Sequence, residues 1–91
     1  MAKVKSVIAE TAESRWSIEI DEHRPGEFTC EYHGTRPKYA PVKRSYGPTA
    51  MMEDVGHGKL QGRDAVFLEM KARTEIEQLD GPIEKYNERP L

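Results

Sequence analysis

The sequence RWSIEIDEHRPGEFTCEYHG, residues 15–34, decides the fold of this chain. Its two halves alternate apolar and polar residues with a period of two, which is typical of strands with one buried face. The apolar positions are Trp16, Ile18, Ile20, Phe28, Cys30 and Tyr32. Between the halves, Pro25-Gly26 favours a tight turn, because proline fixes φ and glycine adopts positive φ. The stretch therefore predicts a β-hairpin.

The length of the turn sets the register of this hairpin. A strict two-residue loop would put Ile20 opposite Glu31, and a polar side chain would then share the apolar face. A loop spanning residues 22–26 restores the alternation and pairs Ile20 with Phe28. It also keeps Glu19 from facing Glu31, an arrangement of like charges that destabilises a sheet. We therefore predict this longer loop or a bulge.

The hairpin needs a further strand and a covering layer, since an isolated hairpin is marginally stable. Residues 3–12 fit either a helix or a strand, and the need for a third strand favours the strand. Residues 64–79 also fit both: they alternate like a strand, but they are rich in Ala, Leu, Glu, Met and Lys, which favour helices. Asp64 suits an N-cap and Gly81-Pro82 suits a helix end, so we favour the helix. Glu69 and Arg73 are spaced for an ion pair within it.

The predicted fold class is therefore α+β, in which a small antiparallel sheet packs against one C-terminal helix. The sheet comprises the hairpin 15–34 and the N-terminal strand, and a mostly-β fold is the alternative if residues 65–77 form a strand. We expect a short helix at 49–55, a flexible glycine-rich connection at 56–62 and, at best, an edge strand at 42–46. Residues 1–82 are interpreted as one small domain and residues 83–91 as a loosely held polar tail.

Composition limits the function classes. The chain has 91 residues, of which 33% are charged, and its mean hydropathy is -0.80. No apolar run is long enough to span a membrane, and the N-terminus lacks the apolar segment of a signal peptide, so we expect a cytoplasmic protein. The single cysteine, Cys30, lies on the apolar strand face and is interpreted as a buried, inert thiol.

The residue types that usually carry chemistry do not converge in this sequence. His23, Cys30, His33 and His57 could ligate a metal, but Cys30 and His33 would point to opposite faces of one strand. Glu19 and Glu31 share the exposed strand face with His33 and Ser17, yet acid–base catalysis requires a cleft that perturbs pKa values. We therefore predict no metal site, no cofactor and no enzymatic activity.

A glycine-rich segment gives a weak indication of phosphate binding. Residues 56–62 contain three glycines, and Lys59 and Arg63 lie within and directly after them. Backbone N–H groups and two cations ahead of a helix could hold a phosphate. The spacing matches neither the P-loop nor the dinucleotide-binding fingerprint. A flexible linker is the alternative interpretation.

Charge is divided along the chain. Residues 10–31 contain seven acidic and two basic residues, whereas residues 35–48 contain four basic residues and no acidic one. The basic stretch also contains tyrosines, which suit either unstacked bases or an acidic protein groove. The candidate partner-binding residues are Arg36, Lys38, Tyr39, Lys43, Arg44 and Tyr46 in the basic stretch, and Glu19, Asp21 and Glu31 in the hairpin.

In size, divided charge and lack of catalytic residues, the chain resembles the small inhibitor and adaptor proteins of phages and other mobile elements, including anti-CRISPR proteins. This resemblance of class implies an inhibitor that occupies the surface of a partner protein. Our leading hypothesis is accordingly a non-enzymatic macromolecule-binding protein. The alternative is a nucleic-acid-binding domain that uses residues 36–46, and a small metal- or phosphate-binding protein is the third hypothesis.

Overall fold

Five strands form one antiparallel sheet, and a single helix packs on one of its faces. The structure is a computed structural model, and it describes residues 2–40 and 49–91. Its elements are β1 (Ala2–Glu10), β2 (Arg15–Arg24), β3 (Glu27–Ala40), β4 (Thr49–Gly62), α1 (Ala65–Asp80) and β5 (Lys85–Glu88). The strand order is β4-β3-β2-β1-β5. The predicted α+β class is confirmed, as are the strand in residues 3–12 and the helix after Asp64.

The core lies between α1 and the central strands. Strand β2 contributes Trp16, Ile18 and Ile20, which are at most 1% exposed. Neighbouring strands and α1 supply the remaining buried apolar side chains: Val7, Ala9, Cys30, Tyr32, Leu68, Ala72 and Ile76. Each large apolar side chain buried in this way contributes about 1.5–3 kcal/mol. The apolar residues at every second position of the strands thus pack against the apolar residues at every fourth position of the helix.

The hairpin register differs from the predicted one. Arg24 faces Glu27, so only Pro25 and Gly26 form the turn, and Gly26 has a φ of 79°. A register shift between Glu22 and Arg24 absorbs one residue in β2. The predicted bulge is therefore present, but the predicted pairing with Phe28 is wrong. Ile20 faces Cys30 instead.

Residues 49–62 form one long strand, so the predicted short helix at 49–55 and the flexible connection at 56–62 are both wrong. The glycines of β4 lie on its helix-facing side, where neighbouring side chains fill their space. A Cβ atom at Gly58 would overlap the hydroxyl of Tyr32, and one at Gly34 of β3 would overlap the indole of Trp16. Aromatic side chains that cover glycines in this way stabilise a strand that composition alone disfavours. The predicted edge strand at 42–46 lies outside the described residues.

Helix α1 begins and ends as its sequence predicts. The Asp64 side chain accepts a hydrogen bond from the backbone N–H of Phe67, at 3.1 Å. At the other end, Gly81 has a φ of 85° and its N–H donates to the carbonyl of Glu77, at 3.0 Å. Both features are common helix caps. Between these caps, the helix packs over β2, β3 and β4.

One polar cluster ties α1 to the strands on the far side of the sheet. Lys5 donates to Glu69 at 2.8 Å, and the hydroxyl of Tyr86 also donates to Glu69. Burial alone would raise the pKa of Glu69, but these two hydrogen bonds outweigh it and the pKa is lowered. Arg73 does not pair with Glu69 as its spacing suggested, and its guanidinium lies 4.3 Å from the centre of the Tyr86 ring. The segment expected as a loose tail therefore contains a strand, β5, held to β1 and α1.

A second polar cluster anchors the C-terminal end of α1. Oδ2 of Asp80 accepts hydrogen bonds from the Trp16 indole at 2.9 Å and from the Thr11 hydroxyl at 2.6 Å. Burial would raise the pKa of Asp80, but the hydrogen bonds from Thr11 and Trp16 outweigh it and lower the pKa. The helix end is thus joined to the β1–β2 turn and to the largest core side chain.

Candidate binding surfaces

Strands β3 and β4 extend beyond the rest of the sheet as a two-stranded ribbon, which we call the arm. Strand β2 pairs with β3 only as far as Arg15, which faces Thr35. The β3–β4 ladder continues for five more pairs, from Arg36 opposite Glu53 to Ala40 opposite Thr49. Five residues of strand span about 17 Å. The arm, residues 36–40 and 49–53, therefore projects from the body of the domain.

The described part of the basic stretch predicted to bind a partner, residues 36–40, lies in this arm. Arg36 donates from Nε to Glu53, 2.5 Å away, and its Nη1 lies 3.6 Å from a carboxylate oxygen of Glu13. Lys38 and Tyr39 belong to β3 and face Met51 and Ala50 of β4 in the register. The other three candidate residues of the stretch, Lys43, Arg44 and Tyr46, lie outside the described residues.

The predicted acidic surface lies on the sheet face opposite the helix. Glu19 and Glu31 face each other directly on β2 and β3, which the sequence prediction had avoided. Each carboxylate is paired with a lysine on its outer side. Lys3 Nζ lies 3.2 Å from Glu19, and Lys59 Nζ lies 3.6 Å from Glu31. Across the four strands the charges thus run positive, negative, negative, positive, and each glutamate has one lysine beside it. The role of these glutamates in partner binding stays a prediction.

Asp21, the third predicted acidic residue, is adjacent to this row. It faces Lys3 of β1 and Thr29 of β3. Lys3, whose Nζ contacts Glu19, is therefore the residue opposite Asp21 in the register. The exposed sheet face combines both signs of charge, as expected of a solvated surface.

Two histidines of this face lie side by side near the base of the arm. His33 and His57 are opposite each other on β3 and β4, with ring centres 6.4 Å apart. Nε2 of His33 is 2.8 Å from a carboxylate oxygen of Asp54. Within residues 2–40 and 49–91, no group of three or more His, Cys, Asp and Glu residues is arranged to hold a metal ion. Sequence reasoning missed the contact with Asp54, because it assigned residues 49–55 to a helix.

The groups considered for acid–base chemistry line one open cavity of about 440 Å³ on this face. Ser17 faces His33, but its hydroxyl is directed to the His33 carbonyl, at 3.5 Å. Glu19 and Glu31 are held by lysines, as described above. Cys30 lies on the opposite, buried face, and burial raises the pKa of its thiol to about 11. The prediction of a buried thiol is confirmed.

A second open cavity brings together the two residues predicted to bind phosphate. It lies between the hairpin turn and the end of β4, has a volume of about 590 Å³, and is lined by Lys59 and Arg63. His23, Thr29 and Gln61 add polar groups, and His23 Nε2 lies 2.8 Å from the Thr29 hydroxyl. The predicted glycine loop is a strand, and Asp64 already accepts from an N–H of the helix N-terminus. The candidate phosphate-binding groups of this cavity are therefore the two cations, and not backbone N–H groups.

The outer surface of α1 is apolar near its N-terminal end. Val66 is 67% exposed, Phe67 53% and Met70 61%. Lys71 Nζ lies 5.7 Å from the centre of the Phe67 ring. Sequence reasoning gave these residues no role, because the helical stripe it used comprised Ala65, Leu68, Ala72, Ile76 and Leu79.

Comparison with protein-family models, with curated proteins and with solved structures gave no match to this chain. The only helix in the part of the chain that the structure describes is too short and too polar to cross a membrane.

Proposed function

We propose that this chain is a non-enzymatic macromolecule-binding protein, which acts by placing its arm on the surface of a partner protein. The observation that carries the proposal is the continuation of the β3–β4 ladder for five pairs beyond the end of β2. A ribbon that leaves the sheet contributes little to the core, since within the described chain no further strand pairs with it. Its length is explained by contact with another molecule.

Charge and residue type support the arm as the binding element. Residues 36–48 contain four bases and no acid, and the facing strand segment 49–53 contributes one acid, Glu53, which already binds Arg36. The sheet face of the body, in contrast, pairs its acids with lysines. An acidic groove of a partner protein therefore complements the basic stretch 36–48 better than it complements the body.

The form of the arm also suits binding. A ladder fixes the backbone before association, so fewer residues lose conformational freedom on binding. Arginine and tyrosine, both present in the stretch, are frequent anchors of protein interfaces. We extend the proposal to an inhibitor that covers a functional site of its partner in the cytoplasm, of the kind that phages and mobile elements carry.

A nucleic acid is the second candidate partner, and the ribbon shape favours it. The major groove of duplex DNA admits a two-stranded β-ribbon, and basic side chains bind its phosphates. The net charge of -2 for the chain opposes this candidate, because nucleic-acid-binding domains usually carry an excess of positive charge. We therefore rank the protein partner first.

Affinity capture with a matched charge control tests the proposal. The arm variant combines Lys38→Glu, Lys43→Glu and Arg44→Glu. The control variant makes the same change of charge on the body, with Lys71→Glu, Lys85→Glu and Arg89→Glu. The capture uses a lysate of the organism from which the chain comes. We expect wild type and the control variant to retain the same protein, and the arm variant to lose it.

Titration of labelled single- and double-stranded oligonucleotides at two salt concentrations separates the two partner classes. Binding that weakens with salt and disappears only in the arm variant would support the nucleic-acid candidate and displace the protein partner. Equal retention of one partner by all three proteins would contradict both uses of the arm.

A further inference from the structure

We propose that the open cavity between the hairpin turn and the end of β4 binds a small phosphate monoester through Lys59 and Arg63. The cavity lies at the opposite end of the β3–β4 ladder from the arm. Gly62, at its rim, faces Phe28 near the start of β3, whereas the arm pairs Ala40 with Thr49 at the other end. This inference therefore concerns a second site, which is independent of the proposed function.

Three elements build the cavity. Lys59, Gln61 and Gly62 come from the end of β4, and Arg63 follows directly. Phe28 and Thr29 come from the start of β3, and His23 lies at the register shift of the hairpin. The bulge thus brings His23 beside Thr29, which is a consequence of the two-residue turn. No residue of the arm takes part.

The charges around this cavity favour an anion. Among the described residues, Arg63 has no hydrogen bond, ion pair or ring contact. Lys59 has one carboxylate within reach, Glu31 at 3.6 Å, and both side chains are more than half exposed. An exposed pair at this distance is weak and can rearrange toward a ligand. Glu27 is the one carboxylate that lines the cavity.

The chemistry of the lining favours a phosphoryl group over a simple carboxylate. An arginine supplies a planar fork of donors and a lysine supplies a point charge, the two groups that most often neutralise a phosphate dianion. The Thr29 hydroxyl and the Gln61 amide can bond further phosphate oxygens. A volume of about 590 Å³ fits a small molecule, and Phe28 offers an apolar surface for its organic part.

Titration followed by amide resonances tests this site. The probes are phenyl phosphate and inorganic phosphate, with acetate as the singly charged comparison. We expect saturable shifts at residues 59–63 and at Thr29 with both phosphates, and shifts several-fold weaker with acetate. Lys59→Gln and Arg63→Gln should each weaken the affinity about fivefold, which is the size expected for one exposed charge-assisted contact. Glu27→Gln should strengthen it about threefold, because it removes the opposing charge.

The control variant is Lys85→Gln, which removes an exposed lysine on the other edge of the sheet and should leave the affinity unchanged. The resonance pattern of each variant away from residues 59–63 reports whether it has folded. The absence of saturable shifts in wild type, or an unchanged affinity in the Lys59→Gln, Arg63→Gln double variant, would overturn the proposal. Shifts that appear with oligonucleotides but with neither phosphate would overturn the assignment to a small ligand. The arm variant should bind phenyl phosphate like wild type, so the failure of either proposal is recognised separately.

Discussion

The indole ring of Trp16 covers the backbone of Gly34, the residue directly opposite it on the next strand. The two residues are partners in the β2–β3 ladder, and a Cβ atom on Gly34 would occupy the space of the indole. Trp16 is fully buried, and its indole N–H donates to Asp80 at the end of α1. One side chain thus joins the hairpin, the glycine-containing strand and the helix.

Gly34→Ala should therefore destabilise the protein by about 2–3 kcal/mol, since a methyl group at this point overpacks a rigid ring. The measurement is the free energy of unfolding in urea, followed by the fluorescence of the single tryptophan. Gly62→Ala is the matched control. Its Cβ would lie 3.2 Å from a methyl group of Leu68, which can move. Equal costs for the two substitutions would contradict the special role of the Trp16–Gly34 contact.

The opposed glutamates predict an electrostatic coupling on the other face. Removing the positive charge with Lys59→Gln leaves Glu31 unpaired opposite Glu19, and we expect a loss of about 0.5 kcal/mol, because the pair is exposed and screened. Adding Glu31→Gln should recover most of this loss, since the repulsion then disappears. Unfolding in urea at low and at high salt measures the coupling. A double variant that is no more stable than Lys59→Gln alone would contradict this account.

Asp80 predicts a dependence of stability on pH. Its pKa is lowered in the folded state, so the unfolded chain takes up the proton first as the pH falls. The stabilisation is therefore fully present above the ordinary aspartate pKa of about 3.9 and is lost as the pH falls through the lower, folded-state pKa. Asp80→Asn should cost about 2 kcal/mol at pH 7 through weakened hydrogen bonds to Trp16 and Thr11. This difference should shrink below pH 4, and a constant difference across the range would contradict the assignment.

The parts of the fold that could be predicted are those in which periodicity and end signals agree. The hairpin strands alternate without interruption, and α1 has Asp64 before it and Gly81 after it. Strand β4 was missed because three glycines interrupt its alternation. The space that they leave belongs to Trp16, Tyr32, Leu68 and Leu79, which come from other elements. Side chains from other elements thus compensate for the missing side chains of the glycines, and the sequence of β4 alone does not reveal this packing.

The candidate sites were predictable by residue type but not by arrangement. Lys59 and Arg63 were singled out for their charge, and they do line one cavity. His23 also lines this cavity, but its position there depends on the bulge in β2, and the sequence does not fix where that bulge lies. The pairing of Glu19 with Lys3 likewise depends on the register between β1 and β2, which contains its own shift between Lys3 and Lys5. Charge counts along the chain therefore overstated the acidity of the hairpin surface.

Strand β5 predicts that removal of residues 83–91 destabilises the protein by about 3 kcal/mol. The truncation removes Ile83 and Tyr86, which pack against the core, together with the Tyr86 hydrogen bond to Glu69. Unfolding in urea measures the effect. Removal of Pro90 and Leu91 alone is the control and should cost less than about 0.5 kcal/mol, because both are exposed. A neutral 83–91 truncation would restore the interpretation of this segment as a loose tail.

The burial of Cys30 predicts a large difference in thiol reactivity between the folded and unfolded states. Its side chain is fully buried, and burial raises the pKa of the thiol to about 11. The thiolate is the reactive form, so the raised pKa lowers the reaction rate at pH 8, and exclusion of the reagent lowers it further. Alkylation with iodoacetamide, followed by mass spectrometry with and without urea, measures both rates. Glu31→Cys in a Cys30→Ala background is a positional control, because residue 31 lies on the opposite sheet face and its side chain is 61% exposed. That thiol should react faster than Cys30 in the folded protein, and equal folded-state rates would place Cys30 outside the core.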